Sequence, residues 1–319
     1  MSARAEAIAR LGGRYDARVL EPSPPAVHEP PWFADDPVGR DEPRGELQRV
    51  SPSGGGDLRW DDLTRSDPEL RDWCAERWLG AYRPLAPAPS TLAPTRRSLH
   101  RVAEGVIAPA RQRANGKVGL RYTRAGFGTP FFADDVQLRV GGDELIVCTR
   151  AGERAARITT LSRLAAHVGP ELLPDGVDDD DPLEVDPAAS RFLGDWYGFG
   201  ASLLEELRAQ VGDELEPSRV QLWPGHFDIA VEIGIEGARA AYGASPGDSD
   251  HDDPYLYVAP WGGIAGVDEF FTATCFTGAE LGYRRLLALD DGYAQRDAAL
   301  RFFNERRAAL AGRSAPSAG

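Results

Sequence analysis

The stretch HFDIAVEIG, residues 226–234, decides the predicted fold, because apolar side chains occupy every second position along it. The apolar positions are Phe227, Ile229, Val231 and Ile233. The alternate positions are His226, Asp228, Ala230 and Glu232. Successive side chains of a strand point to opposite faces, and same-face positions lie about 7 Å apart. The stretch therefore predicts a strand with one buried face and one polar face, as is typical of antiparallel sheets.

Helical patterns flank this strand on both sides. Residues 188–212 carry a single apolar stripe at helical spacing. The stripe consists of Phe192, Trp196, Phe199, Leu203 and Leu207. Residues 290–310 predict a closing helix that Asp290 or Asp291 caps. Residues 95–172 show the same order of helix, strands and helix, which indicates a diverged internal duplication. Strict strand–helix–strand alternation is missing, so we predict an α+β fold in which antiparallel sheets pack against long helices, arranged as two diverged α/β modules.

The remaining segments are irregular or acidic. Residues 1–94 are rich in Pro, Gly and Asp, and within them residues 67–82 predict one short helix ahead of a Pro-rich spacer. No pattern decides whether residues 1–66 are ordered. Residues 173–187 carry seven carboxylates and no basic residue, which is typical of a solvated linker. The predicted organisation is an irregular N-terminal region (1–94), a first module (95–172), an acidic linker (173–187), a second module (188–310) and a tail (311–319).

Charge and composition exclude several classes of protein. The chain has 36 basic and 50 acidic residues and a net charge of -14, which disfavours binding to nucleic acids and to anionic membranes. The three cysteines, Cys74, Cys148 and Cys275, are too widely spaced for a zinc motif and too few for a disulfide framework. The sequence contains no signal-peptide core and no apolar run of membrane-spanning length. We therefore expect a cytoplasmic protein that binds neither nucleic acid nor membrane.

The polar face of residues 226–234 and an acidic loop form the candidate site. The loop DSDHDD, residues 248–253, precedes an aromatic strand, PYLYVAP. It is not an EF-hand, because Asp253 occupies the glycine position and Ala259 the glutamate position. His226 and Asp228 are the candidate acid–base residues, and mixed imidazole and carboxylate ligands would suit a divalent transition metal. The candidate metal ligands are His226, Asp228, Asp248, Asp250, His251 and Asp252.

Aromatic residues and one lysine complete the candidate ligand-binding set. These residues are Trp223, Tyr255, Tyr257, Trp261 and Lys117. Lys117 is the only lysine of the chain, and a lysine can lose its proton in a pocket where arginine cannot. Simpler interpretations stay open for each group. His226 and Asp228 can form one structural hydrogen bond, the acidic loop can be solvated, and Lys117 can point to solvent. The decisive question is whether the loop at 248–253 folds back over the His226 face.

The motifs of the second module resemble those of a bacterial family known only as a domain of unknown function. The resemblance rests on LWPGHFDIAV, on YGASPGDSDHDDPYLYVAPW and, in the first module, on GKVGLRYT. It covers roughly residues 95–310. The family-like positions are Trp223, His226, Phe227, Asp228, Pro246, Gly247, Pro254 and Tyr257. The resemblance supports the architecture and implies no activity, cofactor or catalytic residue.

Two functions of different classes follow from these patterns. The first is a pocket for a small polar ligand in the second module, with metal-assisted, hydrolase-like chemistry as one version of it. The second is a non-catalytic interaction module that uses the acidic loop and the Pro-rich N-terminal region to contact a basic partner. Whether the protein is an enzyme, its substrate, its reaction and its oligomeric state are left open by the sequence.

Overall fold

A computed structural model describes residues 50–51, 58–59, 85–123, 126–129, 132, 136–149, 152–262 and 269–314. The short helix predicted at residues 67–82 and most of the Pro-rich N-terminal region lie outside these ranges. Two short strands near the N-terminus, β1 (Val50–Ser51) and β2 (Leu58–Arg59), pair in parallel. In the part of the chain that is described, no helix combines the length and the apolar character needed to cross a membrane.

The first module consists of two helices, a five-stranded antiparallel sheet and a third helix. Its helices are α1 (Leu92–Val102), α2 (Ala108–Asn115) and α3 (Leu161–Val168), and a π-helical turn, Ala103–Ile107, joins the first two. Its strands are β3 (Arg121–Thr123), β4 (Gly126–Gly128), β5 (Gln137–Gly141), β6 (Glu144–Thr149) and β7 (Gly152–Arg157), in that spatial order. The π-helical turn ends two residues before Pro109, which has no N–H to donate to the carbonyl of Gly105.

The second module repeats this layout. Its helices are α4 (Pro187–Ala209), α5 (Tyr283–Leu287) and α6 (Gly292–Ser314). Its strands are β8 (Gln221–Trp223), β9 (Asp228–Ile233), β10 (Ala240–Ser245), β11 (Tyr255–Pro260) and β12 (Ala279–Gly282), again adjacent in chain order. Asp186 caps α4 by accepting a hydrogen bond from the amide of Ala188, and Asp291 accepts one from Ala294 at the start of α6.

The two sheets meet edge to edge, and α4 packs across both of them. Leu120 and Leu222 exchange two backbone hydrogen bonds of 2.7 and 2.9 Å at the seam. Helix α4 contacts β3 and β4 on one side of the seam and β9 and β10 on the other. Gly200 allows α4 to approach the second sheet closely, because a Cβ atom there would overlap the side chain of Ala244. The apolar face of β9 is therefore buried under α4, and its other face points away from the helices.

The predicted α+β architecture is confirmed: two antiparallel sheets pack against long helices. The apolar stripe predicted for α4 is buried throughout. Strands β4, β7, β10 and β12 were not predicted, and α1 begins at Leu92, inside the predicted Pro-rich spacer. The acidic segment 173–187 lies against α1: the amide of Glu184 donates to Ser98, and that of Asp186 donates to Thr95. The segment thus connects the two modules along α1, and most of its carboxylates are exposed, as expected of a solvated linker.

Candidate functional site

A cavity of about 520 Å³ lies on the face of the second sheet that points away from α4. The sheet supplies residues from β8 to β11, the acidic loop supplies three more, and the segment before β12 closes one side. The lining residues from the sheet and the turn after β8 include Trp223, His226, Asp228, Glu232, Ser245, Tyr255 and Tyr257. Those from the loop and the later segment are Asp248, Asp250, His251, Cys275 and Phe276. The cavity is large enough for a metabolite-sized ligand.

A tight turn between β8 and β9 sets the position of His226 and Asp228. The predicted strand begins two residues too early, because β9 starts at Asp228 and His226 belongs to the turn. Phe227 breaks the alternation: its φ is 54°, in the left-handed region that an aromatic residue rarely adopts. Its amide donates to the carbonyl of Trp223 at 2.7 Å, and its carbonyl accepts from the hydroxyl of Tyr197 at 2.6 Å. The turn nevertheless places both His226 and Asp228 on the cavity.

Aromatic packing holds this strained turn in place. The Phe227 ring stacks on His100 with a centroid separation of 5.1 Å, and it meets Phe127 and Tyr197 edge to face. These contacts bury Phe227 completely and compensate for its unfavourable backbone conformation. The neighbouring His226 stays exposed at the edge of the cavity, whereas Asp228 is only 6 % exposed.

Asp228 is the unusual residue of the site. Its Oδ2 accepts a hydrogen bond from the hydroxyl of Tyr257, and its Oδ1 is buried without a hydrogen-bond partner among the described residues. Burial raises the pKa of Asp228 above its ordinary value, although the Tyr257 hydrogen bond and the nearby His226 act in the opposite direction. A buried carboxyl oxygen without a partner is unfavourable in a folded protein, and it is a ready acceptor for a ligand that carries a donor.

Gly243 on β10 makes the bond between Tyr257 and Asp228 possible. In the sheet, β10 lies between β9 and β11, so the Tyr257 side chain has to cross β10 to reach Asp228. Gly243 pairs with Tyr257 on one side and with Ala230 on the other. A Cβ atom at position 243 would overlap the end of the Tyr257 ring. Because Gly243 has no side chain, the Tyr257 side chain has room to cross β10 and reach Asp228.

Three aromatic rings form one wall of the cavity. The ring centroids of Tyr255 and Tyr257 are 6.2 Å apart, and Phe276 lies 6.4 Å from the first and 6.2 Å from the second. Tyr257 and Phe276 meet edge to face, with an interplanar angle of 83°. Such rings offer an apolar surface with a negative electrostatic potential at their faces.

The acidic loop folds back beside this wall because a buried arginine binds its backbone. Arg96 extends from α1 in the first module and donates to the carbonyl of Asp248 at 2.6 Å. It also donates, at 3.2 to 3.3 Å, to the carbonyls of Pro246, His251 and Asp252. Gly247 has a φ of 94°, and a side chain there would collide with the Arg96 guanidinium. The loop is therefore anchored to the helix layer and does not extend into solvent.

Asp248 and His251 of the loop bond each other and residues of the neighbouring strands. Asp248 Oδ1 accepts from the amides of Asp250 and His251 and lies 3.0 Å from His251 Nδ1, while its Oδ2 accepts from the Tyr255 hydroxyl at 2.6 Å. His251 Nε2 lies 3.1 Å from Glu280. Burial alone would raise the pKa of Asp248, but the hydrogen bonds from Tyr255 and His251 lower it below its ordinary value. Burial would lower the pKa of His251, but Asp248 and Glu280 raise it.

Some candidate residues do not line the cavity. Lys117 lies in the first module between α2 and β3. Trp261 is 62 % exposed, with the Arg239 guanidinium 5.2 Å above its ring. Asp252 contributes its backbone carbonyl to Arg96, and its side chain is exposed. Cys275 and Phe276, which do line the cavity, lie in a segment without any periodic pattern, so the sequence contained no signal for them.

The structure does not bring the candidate metal ligands together. Among the residues that are described, no three His, Cys, Asp or Glu side chains are placed to hold a metal ion. Asp228 is bonded to Tyr257, whereas Asp248 is bonded to Tyr255 and His251. Asp228 thus belongs to one hydrogen-bonded group, and Asp248 and His251 belong to another.

Comparisons with known proteins returned no relative: no family model, no curated protein and no solved structure matched the chain. The resemblance to a family of unknown function therefore stays a prediction, and the geometry of the cavity is the basis for any functional proposal.

Proposed function

We propose that the second module binds a small polar ligand in the cavity between the β9 turn and the acidic loop. The observation that carries this proposal is Asp228, which lines a cavity of about 520 Å³ and whose buried Oδ1 has no hydrogen-bond partner among the described residues. A structural aspartate would be expected to have both oxygens satisfied, since leaving one unsatisfied in a buried position costs about 1–3 kcal/mol. A ligand donor would remove this penalty, so binding and folding favour the same arrangement.

The same geometry supports acid–base chemistry of a hydrolase-like kind. Asp228 is buried with a raised pKa, and His226 is exposed at the edge of the same cavity. A buried carboxyl group and an accessible imidazole in one cavity are two kinds of group that general acid–base catalysis uses. In a catalytic version of the proposal, Asp228 contacts the ligand directly and His226 lies at the solvent side of the same cavity.

A ligand screen with a built-in reporter tests the proposal. Cys275 lines the cavity and is exposed, whereas Cys148 is buried and burial raises the pKa of its thiol to about 11. A ligand in the cavity should slow alkylation of Cys275 by iodoacetamide and leave Cys148 unchanged, as followed by peptide mass spectrometry. The screen would use polar compounds of metabolite size, first by thermal shift and then by Cys275 protection.

Two amide variants separate a specific site from general charge effects. Asp228→Asn removes the buried carboxyl, and Asp253→Asn makes the same change at a residue that bonds Arg284 outside the cavity. We expect hits that protect Cys275 in the wild type and in Asp253→Asn, with protection lost in Asp228→Asn. If every hit protects all three proteins equally, or if no compound protects Cys275, the proposed pocket is wrong.

The metal-assisted version has a separate test. Metal analysis of the purified protein and thermal shifts with Zn²⁺, Mn²⁺, Ni²⁺ and EDTA would reveal a bound metal. Because the candidate ligands are divided between separate groups, we do not include a metal in the proposed function.

A further inference from the structure

The cavity is bordered by negative charge. Four carboxylates line it, and in the described part of the chain no lysine or arginine does. These carboxylates belong to Asp228, Glu232, Asp248 and Asp250. An anionic ligand would meet like charges at short range, and His251, which also lines the cavity, is already paired with Asp248 and Glu280. The electrostatics of the lining therefore disfavour phosphates and carboxylates as ligands.

The four carboxylates are not equivalent. Glu232 is paired with Arg239 at 3.2 Å, and Asp248 is bonded to Tyr255 and His251. Asp250 is exposed, so water can solvate it. Of the four, only Asp228 is buried and bonded through a single oxygen, because its Oδ1 has no hydrogen-bond partner in the part of the chain that is described. The cavity therefore lacks one hydrogen-bond donor to Asp228 Oδ1, and a positively charged donor would form the strongest bond there.

The wall beside Asp228 suits a cation as well. Tyr257 bonds Asp228 through its hydroxyl, which places its ring next to the carboxyl group, and Phe276 packs against that ring. Aromatic faces attract ammonium groups within about 6 Å of the ring centroid. A carboxylate and aromatic faces in one cavity form the combination by which proteins recognise amines, because the ring faces contribute attraction that a neutral hydroxyl does not receive.

We propose that the cavity binds a small organic amine in its ammonium form, with an N–H donated to Asp228 Oδ1 and the charge beside the rings of Tyr257 and Phe276. This inference rests on the proposed function and narrows its ligand class. The cavity volume accommodates a diamine or an arylalkylamine. The main competitor is a neutral polyol, which also offers donors but carries no charge.

Matched triples of compounds separate these classes. Tryptamine, tryptophol and indole-3-acetate share one ring system and differ in an ammonium, a hydroxyl and a carboxylate group. Putrescine, 1,4-butanediol and succinate form the same series on a four-carbon chain. Affinities would be measured by calorimetry at pH 7.5 with the full chain, and Cys275 protection would confirm that each compound occupies the cavity. Glucose serves as the polyol probe.

Two variants test the named contact. Asp228→Asn keeps an acceptor for Tyr257 and removes the negative charge. Glu232→Gln removes a charge from the same cavity at a residue already paired with Arg239. We expect at least one amine to bind tenfold or more tightly than its alcohol and its acid. Asp228→Asn should weaken that amine at least tenfold, and Glu232→Gln less than threefold.

The outcomes distinguish this inference from the proposed function. If glucose or an alcohol binds as well as the amine and its binding depends on Asp228, the amine inference is wrong, but the proposed ligand pocket stands. If Glu232→Gln weakens amine binding as much as Asp228→Asn does, the assigned contact with Asp228 is wrong. If no amine binds at millimolar concentration while the wider screen finds Asp228-dependent hits, the ligand class is wrong; if the screen also finds none, the pocket itself is wrong.

Discussion

Asp228→Asn should make the protein more stable, and the gain should grow with pH. In the unfolded chain an aspartate loses its proton near pH 3.9. In the folded protein burial raises the pKa of Asp228, so the folded state binds the proton more tightly than the unfolded state. The stability that this difference provides is fully present below the unfolded pKa and is lost as pH rises through the folded pKa. Asparagine cannot ionise, so the Asp228→Asn variant does not lose this stability as pH rises.

The magnitude follows from the linkage relation. Between the two pKa values the free energy of unfolding of the wild type falls by up to about 1.4 kcal/mol per pH unit relative to the variant. Asparagine keeps a carbonyl that can accept from Tyr257, so the hydrogen bond to Oδ2 has a replacement. New contacts of the amide group change stability equally at every pH. We therefore expect the stability difference between variant and wild type to rise by up to about 1.4 kcal/mol for each pH unit that separates the unfolded and folded pKa values of Asp228.

Urea denaturation of both proteins at half-unit steps from pH 4.5 to pH 8 measures this difference. The two curves should diverge as pH rises and then run parallel once Asp228 is ionised in the folded wild type. Asp253→Asn provides the matched control: Asp253 bonds the exposed Arg284, and the loss of such a surface pair changes stability by less than about 1 kcal/mol. A stability difference for Asp228→Asn that stays constant over the whole range would refute the argument that burial of this carboxyl is unfavourable.

Three further predictions concern the residues that build the site. Gly243→Ala should displace the Tyr257 ring and destabilise the protein by about 1–3 kcal/mol, as measured by urea denaturation, because the new Cβ occupies the path of the tyrosine. Arg96→Lys should lower the free energy of unfolding by about 2 kcal/mol and speed amide exchange at residues 246–253, since one ammonium cannot replace a guanidinium that binds four carbonyls. The pKa of His251 is raised, so its stabilisation of the loop should be present below about pH 6.5 and be lost as pH rises through the folded value, with faster exchange of the loop amides at high pH after correction for intrinsic rates.

Each of these predictions has a control within the chain. Gly282→Ala places a Cβ atom where no heavy atom lies within 4 Å, so it should leave stability nearly unchanged. Arg284→Lys alters an exposed guanidinium near the same loop and should not change exchange at residues 246–253. Strand β11 provides the internal reference for the pH series. A Gly243→Ala variant as stable as Gly282→Ala, or a loop whose exchange does not depend on pH, would contradict the proposed contacts.

The sequence predicted the face that became the cavity, but not all of the strands that build it. Alternation identified β9 and placed Asp228 and Glu232 on one side, because their apolar neighbours had to be buried under a helix. Strand β10 was not predicted, because it contains only small residues around Tyr242. Those small residues are required by three-dimensional contacts: Ala244 lies under Gly200 of α4, and Gly243 lies under Tyr257. Close approach between elements far apart in the chain leaves no periodic signal.

The acidic loop shows a similar limit. Its charges suggested either a ligand site or a solvated turn, and composition alone cannot decide between them. The deciding residue is Arg96, which lies about 150 positions earlier in the chain and binds the loop through backbone carbonyls. Because a carbonyl is present in every residue, no pattern in the loop could have revealed this partner. The turn before β9 was missed in the same way, since the left-handed conformation of Phe227 depends on packing with His100 and Phe127.

Two carboxyl groups that border one cavity, Asp228 and Asp248, differ in a way that argues for a functional role of the first. Asp248 accepts hydrogen bonds at both oxygens, and its pKa is lowered, as expected of a residue that holds a loop together. Asp228 has a raised pKa and an oxygen with no hydrogen-bond partner among the described residues. Two further unfavourable features support its position: the left-handed Phe227 before it and Gly243, which has no side chain, beneath its partner Tyr257. Each feature alone has a structural explanation. That all of them occur around one carboxyl group that lowers stability is expected where a ligand supplies the missing hydrogen bond to that group.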